Sequence, residues 1–213
     1  ERLGDSVTFY KVGLELFSAE GPGVVRDIIS MGKMVFVDLK MYDIGETVKR
    51  AAARVASLGA SLLTVHSSPQ VIRAAVAGAA GSQLKVIAVT VLTSFGEQDL
   101  IDVGVAGRTI GEQVEFLTVK GIEAGVDGLV CSPLEAGRLR ALAGPGKILV
   151  TPGVRSAGAD AGDQRRVATP AEAIAAGADH LVIGREITRS SDPKAASERI
   201  LMDLCGQAAH KLN

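Results

Sequence analysis

Seven short apolar runs alternate along this chain with stretches of helical spacing, and no other feature constrains the fold as strongly. The runs begin near Thr8, Met34, Ser61, Leu84, Gly128, Ile148 and His180. Each is a few residues long and apolar, which is typical of parallel strands buried by helices on both faces. Strands that alternate with helices build a layered α/β domain. The sequence therefore predicts an α/β fold around one parallel sheet.

Polar residues collect where the predicted strands end, and this position favours a barrel over an open sheet. They are Asp38, Lys40, His66, Thr93, Ser132, Thr151 and Arg185. A (β/α)8 barrel keeps its active site at this face. A doubly wound open sheet would also alternate, but no GxGxxG motif opens a helix here. We expect residues 1–213 to form one (β/α)8-barrel domain. Since the first residues resemble a helix end, we also expect a further strand upstream of Glu1.

The composition of the chain argues against several classes of function. The net charge of -1 gives no reason to expect nucleic acid or an anionic membrane as partner. Aromatic residues make up 3% of the chain and none is Trp, which argues against a base-stacking surface. No apolar run approaches the roughly 20 residues of a membrane span. The two cysteines are too few for a disulfide framework, so we expect a reducing, cytoplasmic location.

The stretch Met34–Thr47 (MVFVDLKMYDIGET) carries the strongest chemical signal. Side chains alternate along a strand, so Asp38 and Lys40 are expected to point the same way. If that direction is inward, a carboxylate and an amine share a pocket mouth and shift each other's pKa. The alternative is an exposed ion pair at a strand end. Lys11, which lies inside the first predicted strand, is equally compatible with an exposed edge.

Six segments, in order along the chain, resemble motifs of the bacterial orotidine 5′-phosphate decarboxylases. They are 10–13 (YKVG), 38–44 (DLKMYDI), 89–94 (VTVLTS), 151–155 (TPGVR), 162–166 (GDQRR) and 182–185 (VIGR). The second segment matches the DxKxxDI signature of that family. Together the six span nearly the whole chain. The resemblance implies a barrel that removes CO₂ from orotidine 5′-monophosphate to give UMP, in pyrimidine biosynthesis, with no cofactor and no metal.

The same resemblance assigns site residues. It implies a catalytic array of Lys11, Asp38, Lys40 and Asp43, in which Asp38 stresses the substrate carboxylate and Lys40 donates the proton. It implies a homodimer in which Asp43 and Thr47 reach the neighbour's site. Further substrate ligands are expected at Thr93, Arg155, Gln164, Gly184 and Arg185. We assign Arg165 and Arg166 to a solvated loop, and His66 to a structural role.

The chain departs from the family pattern in two respects, and two alternative functions stay open beside the decarboxylase. Gly45 and Glu186 stand where the family has prolines, which is expected to loosen two turns without removing a reacting group. The family's ribose-contacting aspartate would lie on the strand expected upstream. One alternative is a Mg²⁺-dependent sugar-phosphate decarboxylase or aldolase of the same barrel type, since those enzymes share an Asp-x-Lys-x-x-Asp pattern. Another is a non-catalytic nucleotide-binding protein on the same scaffold.

Overall fold

All seven predicted strands are present, and they form one parallel sheet in the order of the sequence. The computed structural model describes residues 2–156 and 166–210, with only the backbone described for 206–210. Within these ranges the strands are β1 (Phe9–Gly13), β2 (Met34–Met41), β3 (Leu62–His66), β4 (Lys85–Val89), β5 (Gly128–Val130), β6 (Ile148–Thr151) and β7 (His180–Leu181). Each strand pairs in parallel with the next.

Helices connect the strands. They are α1 (Leu14–Glu20), α2 (Gly23–Ser30), α3 (Gly45–Ser57), α4 (Pro69–Ala79), α5 (Glu97–Asp102), α6 (Ile110–Glu123), α7 (Pro133–Ala143), α8 (Pro170–Ala175), α9 (Arg185–Thr188) and α10 (Pro193–His210). The sequence pattern did not predict α1 or α9. Neither helix has a buried residue, so neither shows the apolar stripe by which a helix is recognised. No helix in the described part of the chain is long and apolar enough to cross a membrane.

The sheet curls until its two edges face each other. Residues of β1 and β7 line opposite sides of one cleft of about 380 Å³. The rings of Phe9 and His180 meet edge to face at a centroid distance of 5.3 Å. Within the described residues no ladder joins β7 to β1. This is the curvature of a (β/α)8 barrel, and the predicted fold class is confirmed. The strand expected upstream of Glu1 stays a prediction.

Aspartates fix the register at the amino ends of the strands. The carboxylate of Asp127, just before β5, accepts the backbone N–H of Val86 in β4 at 2.8 Å. The carboxylate of Asp179, just before β7, accepts the backbone N–H of Leu149 in β6 at 2.7 Å. Each aspartate thus ties its own strand to the preceding one. The amino end of the barrel is held by these contacts, and the carboxyl ends are left for a site.

Apolar residues fill the interior of the curled sheet. Phe36, Leu62, Ile87 and Val150 form a buried cluster contributed by β2, β3, β4 and β6. A larger core fills the space between the sheet and the surrounding helices. The interior cluster matters for the site, because Phe36 and Val150 also line the cavity above it. Charges in that cavity therefore face an apolar floor, where electrostatic interactions are stronger than in water.

Candidate active site

Three charged residues on β1 and β2 form one ion network. The Lys40 Nζ atom lies 2.8 Å from Asp38 Oδ1. The Lys11 Nζ atom lies 3.3 Å from Asp38 Oδ2. The Asp38 side chain is only 12% exposed, whereas the two lysines are exposed by 34% and 35%. One nearly buried carboxylate is therefore flanked by two ammonium groups that still reach the cavity.

A bulge in β2 brings Asp38 and Lys40 together. From Val37 to Met41 the strand advances four positions while its partner β3 advances two, from Leu63 to Val65. Lys40 lies within this bulge and has a left-handed backbone with φ of 48°. Residues with a Cβ atom rarely adopt this conformation. Asp38 and Lys40 do converge on one cavity, as alternation predicted, but irregular backbone produces the convergence.

The network opens into a cavity of about 270 Å³ at the carboxyl ends of the strands. Its walls are Lys11, Phe36, Asp38, Lys40, Val89, Val91, Leu92, Thr93, Ser94, Val130, Val150, Pro152 and Val182. Thr93, predicted as a substrate ligand, is 8% exposed and belongs to these walls. The cavity thus combines a charged corner, hydroxyl groups and an apolar floor.

The surroundings of Asp38 keep it ionised. Burial alone would raise the pKa of this carboxyl group. The hydrogen bond and charge of Lys40 act in the opposite sense, as do the charge of Lys11 and the Thr64 hydroxyl, and together they hold the pKa below its usual range. At neutral pH the site therefore presents a carboxylate between two ammonium groups. The same carboxylate stabilises the folded protein above its unfolded-state pKa, and this contribution is lost as the pH falls through the lowered value.

Gly13 makes room for the Lys11 side chain. A Cβ atom at this position would lie 2.8 Å from Lys11 Nζ, closer than real contacts allow. The obstructed group is the end of a flexible side chain, so the backbone need not move. Glycine at this position therefore leaves the Lys11 ammonium free to approach Asp38.

Gly13→Ala is expected to fold normally and to lose most of any catalytic activity. The added methyl group displaces the Lys11 ammonium, and a shift of about 1 Å in a reacting group can lower a rate by about 10²-fold. Circular dichroism and steady-state kinetics measure the two effects. Gly23→Ala is the matched control, because no atom lies within 4 Å of a Cβ built at Gly23. Equal activity of the two variants would contradict the role of Gly13.

Two predicted residues, Asp43 and Thr47, lie outside this cavity. Asp43 is exposed in the turn after β2, where its carboxylate accepts the backbone N–H of Ile44 at 2.6 Å. Thr47 is half-buried in the first turn of α3. Their surroundings are apolar and uncovered, since Tyr42 is 72% and Ile44 71% exposed. Within one chain, then, Asp43 and Thr47 do not join the Lys11–Asp38–Lys40 network.

His66 lies at the end of β3, close to this turn. Its ring meets that of Tyr42 edge to face, with 5.5 Å between centroids. Burial, and then the positive charge of Lys40, lower the pKa of His66. The imidazole is therefore neutral at physiological pH. Its contact with Tyr42 fits the structural role expected from the sequence.

Three predicted anion ligands lie on adjacent loops after β6 and β7. Arg155 is half-buried near the start of the β6 loop, and its backbone N–H donates to the Ala168 carbonyl at 3.0 Å. Gly184 precedes α9, and Arg185 is the first residue of that helix. The backbone N–H of Ser156 donates to the Glu186 carboxylate at 3.1 Å, which links the two loops. Gln164 and Arg165 lie outside the described residues.

The sequence-based prediction for Arg166, which assigned this residue to a solvated loop, was wrong. It is 9% exposed and forms an ion pair with Glu135 of α7. Its guanidinium group also donates to the carbonyl oxygens of Leu92 at 2.8 Å and Val91 at 3.3 Å. Arg166 therefore ties the end of the β6 loop to the segment that carries Thr93.

The sequence-based predictions also missed the contacts of Thr64 with the charged pair and the hydrogen bond that Glu186 accepts. Thr64 contacts both Asp38 and Lys40, and the only sequence signal was a hydroxyl-bearing residue among the apolar residues of β3. Glu186 was expected to loosen its turn in place of proline, but its carboxylate accepts the Ser156 N–H. Both contacts join residues distant in sequence, so no local pattern reports them.

Two further observations concern metal binding and thiol chemistry. Within residues 2–156 and 166–205, whose side chains the structure describes, no group of three or more His, Cys, Asp or Glu side chains is arranged to hold a metal ion. Cys131 is buried at the end of β5, and burial raises the pKa of its thiol to about 12. This thiol is protonated at neutral pH and is therefore a poor nucleophile.

The curled parallel sheet, with a lysine–aspartate network at the carboxyl ends of its strands, defines a (β/α)8-barrel enzyme. More particularly, the chain belongs to the orotidine 5′-phosphate decarboxylase / HUMPS family, whose model matches residues 1–200. Two bacterial relatives are named orotidine 5′-phosphate decarboxylase. One, from Rhodopseudomonas palustris strain BisA53, is 53% identical over 96% of this chain and 87% of its own length. The other, from Bradyrhizobium sp. strain ORS 278, is 50% identical over 97% of this chain and 85% of its own length.

A solved structure supports the same assignment. The crystal structure of orotidine 5′-phosphate decarboxylase from Lactobacillus acidophilus matches with a TM-score of 0.79 and 38% identity. The match covers 91% of this chain and 85% of that one. The family resemblance predicted from the six motifs is confirmed.

Proposed function

We propose that this protein decarboxylates orotidine 5′-monophosphate to UMP without a cofactor. The observation that carries the proposal is the Lys11–Asp38–Lys40 network, which lies in a cavity with an apolar floor. Relatives with about half of their residues in common bear the name of this activity. The reaction breaks the bond between C6 of the pyrimidine and the carboxylate, and it leaves the electron pair on C6 with no adjacent electron sink. Charge stabilisation must therefore come from the protein.

Asp38 and Lys40 have opposite roles in this mechanism. Asp38, ionised and nearly buried, lies near the substrate carboxylate and disfavours the ground state by like-charge repulsion. The Lys40 ammonium stabilises the electron pair that develops at C6 and then donates its proton there, while CO₂ leaves. Lys11 maintains the charge balance around Asp38. Preorganised charges of this kind favour the transition state over the bound substrate.

The substrate phosphate is held away from the reacting carbon. We assign Arg155, Gln164, Arg185 and the Gly184 backbone N–H to the phosphate, and Thr93 to the pyrimidine edge. Barrels bind phosphate at the loops after their last strands. Arginine presents a donor fork that matches phosphate oxygens. The hydrogen bond between Ser156 and Glu186 supports this assignment, because it holds the two arginine-bearing loops side by side.

A homodimer completes the site in this proposal. Asp43 and Thr47 of one subunit contact the ribose in the site of the other. The exposed Tyr42 and Ile44 side chains around Asp43 support an interface there, since large apolar groups are buried when subunits associate. We also propose a cytoplasmic location, in agreement with the two unpaired cysteines.

Arg185→Ala is expected to weaken UMP binding by about 1.5–3 kcal/mol, the contribution of a hydrogen bond to a charged group. Isothermal titration calorimetry measures the change. Arg189→Ala is the matched control, because Arg189 is exposed at the other end of α9. An unchanged UMP affinity in Arg185→Ala, or an equal loss in the control, would rule out the phosphate role of Arg185.

Turnover of orotidine 5′-monophosphate, followed by its ultraviolet absorbance with EDTA present, tests the proposed function. Loss of substrate with UMP as product would establish the decarboxylase. Activity that EDTA abolishes and Mg²⁺ restores would point to the metal-dependent sugar-phosphate enzymes. Tight UMP binding without turnover would point to a binding protein. Either of the last two results would overturn the proposal.

A further inference from the structure

We propose that Thr64 is a positioning residue of this site, whose hydroxyl group holds the Lys40 backbone and the Asp38 carboxylate in their working geometry. Thr64 lies in β3 and is completely buried. Its Oγ1 atom accepts the Lys40 backbone N–H at 2.9 Å and donates to Asp38 Oδ1 at 2.8 Å. One hydroxyl thus contacts both residues of the ion pair. Only the kinetic part of the proposal rests on the proposed decarboxylase function.

The position of Thr64 along the sheet explains why a side chain performs this task. Thr64 is opposite the bulge of β2, between the paired residues Leu63 and Val65 of β3. In a regular parallel ladder, backbone carbonyls accept the N–H groups of the neighbouring strand. Where the register shifts, the Thr64 hydroxyl supplies the acceptor for Lys40. The side chain therefore satisfies a backbone group that an irregular strand would otherwise leave unpaired.

The conformation of Lys40 makes this contact consequential. Its φ of 48° lies in the left-handed region, which a residue with a Cβ atom adopts only when its surroundings hold it there. The hydrogen bond from the Lys40 N–H to Thr64 is such a restraint. The same hydroxyl also donates a hydrogen bond to Asp38 Oδ1, which is the oxygen atom that accepts the hydrogen bond from the Lys40 ammonium group. The lysine is thereby held through its backbone and, through Asp38, at the end of its side chain.

The residue type is informative as well. Threonine and valine have almost the same shape, and the neighbours Leu62, Leu63 and Val65 are apolar and buried. Packing alone would be satisfied by valine, because a buried hydroxyl is unfavourable unless it is hydrogen-bonded. Both partners of the Thr64 hydroxyl belong to the charged network. The hydroxyl group therefore serves that network rather than the core.

Thr64→Val and Thr64→Ser, compared with Thr118→Val, test the proposal. Valine keeps the shape and removes the hydroxyl group, whereas serine keeps the hydroxyl group. Thr118 is the matched control, because it is also completely buried but its hydroxyl donates to the Val114 carbonyl within α6. We expect kcat to fall about 10²-fold in Thr64→Val, with KM changed by less than about threefold. Thr64→Ser and Thr118→Val should retain kcat within about tenfold of the wild-type protein.

A crystal structure of Thr64→Val gives a readout that does not depend on the reaction. We expect Lys40 to leave the left-handed region and its Nζ atom to move beyond about 4 Å from Asp38 Oδ1. Retention of the left-handed φ and of the 2.8 Å contact would overturn the proposal. An unchanged kcat in Thr64→Val, or a loss that serine does not restore, would also overturn it. If the wild-type protein does not decarboxylate orotidine 5′-monophosphate, the proposed function fails, and the crystal structure still decides the role of Thr64.

Discussion

Lys40→Ala is expected to lower turnover of orotidine 5′-monophosphate by about 10⁴-fold or more, while UMP still binds. The variant loses both the proton donor and a positive charge beside the developing carbanion, and each effect alone is worth about 10²-fold or more. UMP affinity should change little, because Arg155 and Arg185 hold the phosphate on other loops in the proposed complex. Single-turnover kinetics and calorimetry measure the two quantities separately.

Lys85→Ala is the control for this prediction. Lys85 also pairs with an aspartate, since its Nζ atom lies 3.5 Å from Asp127 Oδ1, but it is the first residue of β4 at the opposite end of the barrel. It should therefore retain wild-type turnover. Measurable steady-state turnover in Lys40→Ala at more than about one hundredth of the wild-type rate would exclude Lys40 as the proton donor.

The strands could be predicted from the sequence because burial on both faces requires an uninterrupted apolar run. The runs at Met34 and Ile148, for example, became β2 and β6, and both strands begin at the predicted residue. The short helix α1 could not be predicted, because Leu14 and Leu16 point to solvent and give no amphipathic pattern.

The pairing of Asp38 with Lys40 could be predicted from the sequence, but the backbone bulge and the hydrogen bonds that hold the pair could not. The spacing of Asp38 and Lys40 indicated a shared direction, and the ion pair between them agrees with that. Within the bulge of β2, the N–H of the left-handed Lys40 is bound by the hydroxyl of Thr64, a residue 24 positions further along the chain. A sequence pattern describes neighbours along one strand. It does not report which side chain of the next strand fills a gap in the ladder.

Arg166 shows, for a loop residue, that contacts with distant parts of the chain cannot be predicted from the local sequence. A charged residue in a stretch rich in Gly, Arg and Asp is usually solvated, and that was the prediction. Its burial results from the approach of α7 and the β4 end, which bring Glu135 and the Leu92 carbonyl to the guanidinium group. Burial of an arginine is thus a tertiary property. Here it converts a surface charge into a structural anchor for the site.

The anchoring role predicts a large loss of stability when Arg166 is replaced. Arg166→Met removes the cation but leaves the Glu135 carboxylate, 14% exposed, without its counter-ion. Removal of one partner of a buried ion pair typically costs about 3–5 kcal/mol, because the remaining charge stays desolvated. We therefore expect the free energy of unfolding in urea to fall by that amount. Part of the loss should also reflect the freed Val91 and Leu92 carbonyls, which lead to Thr93.

Arg50→Met is the matched control, since Arg50 pairs with Glu46 across one turn of α3 and the two side chains are 71% and 63% exposed. Exposed pairs contribute about 0–1 kcal/mol, so this variant should unfold close to the wild-type urea midpoint. The comparison separates burial from charge, because both substitutions delete one arginine that is paired with one glutamate. If the two variants lose equal stability, or if Arg166→Met loses less than about 1 kcal/mol, then Arg166 is not the anchor between the β6 loop, α7 and the end of β4.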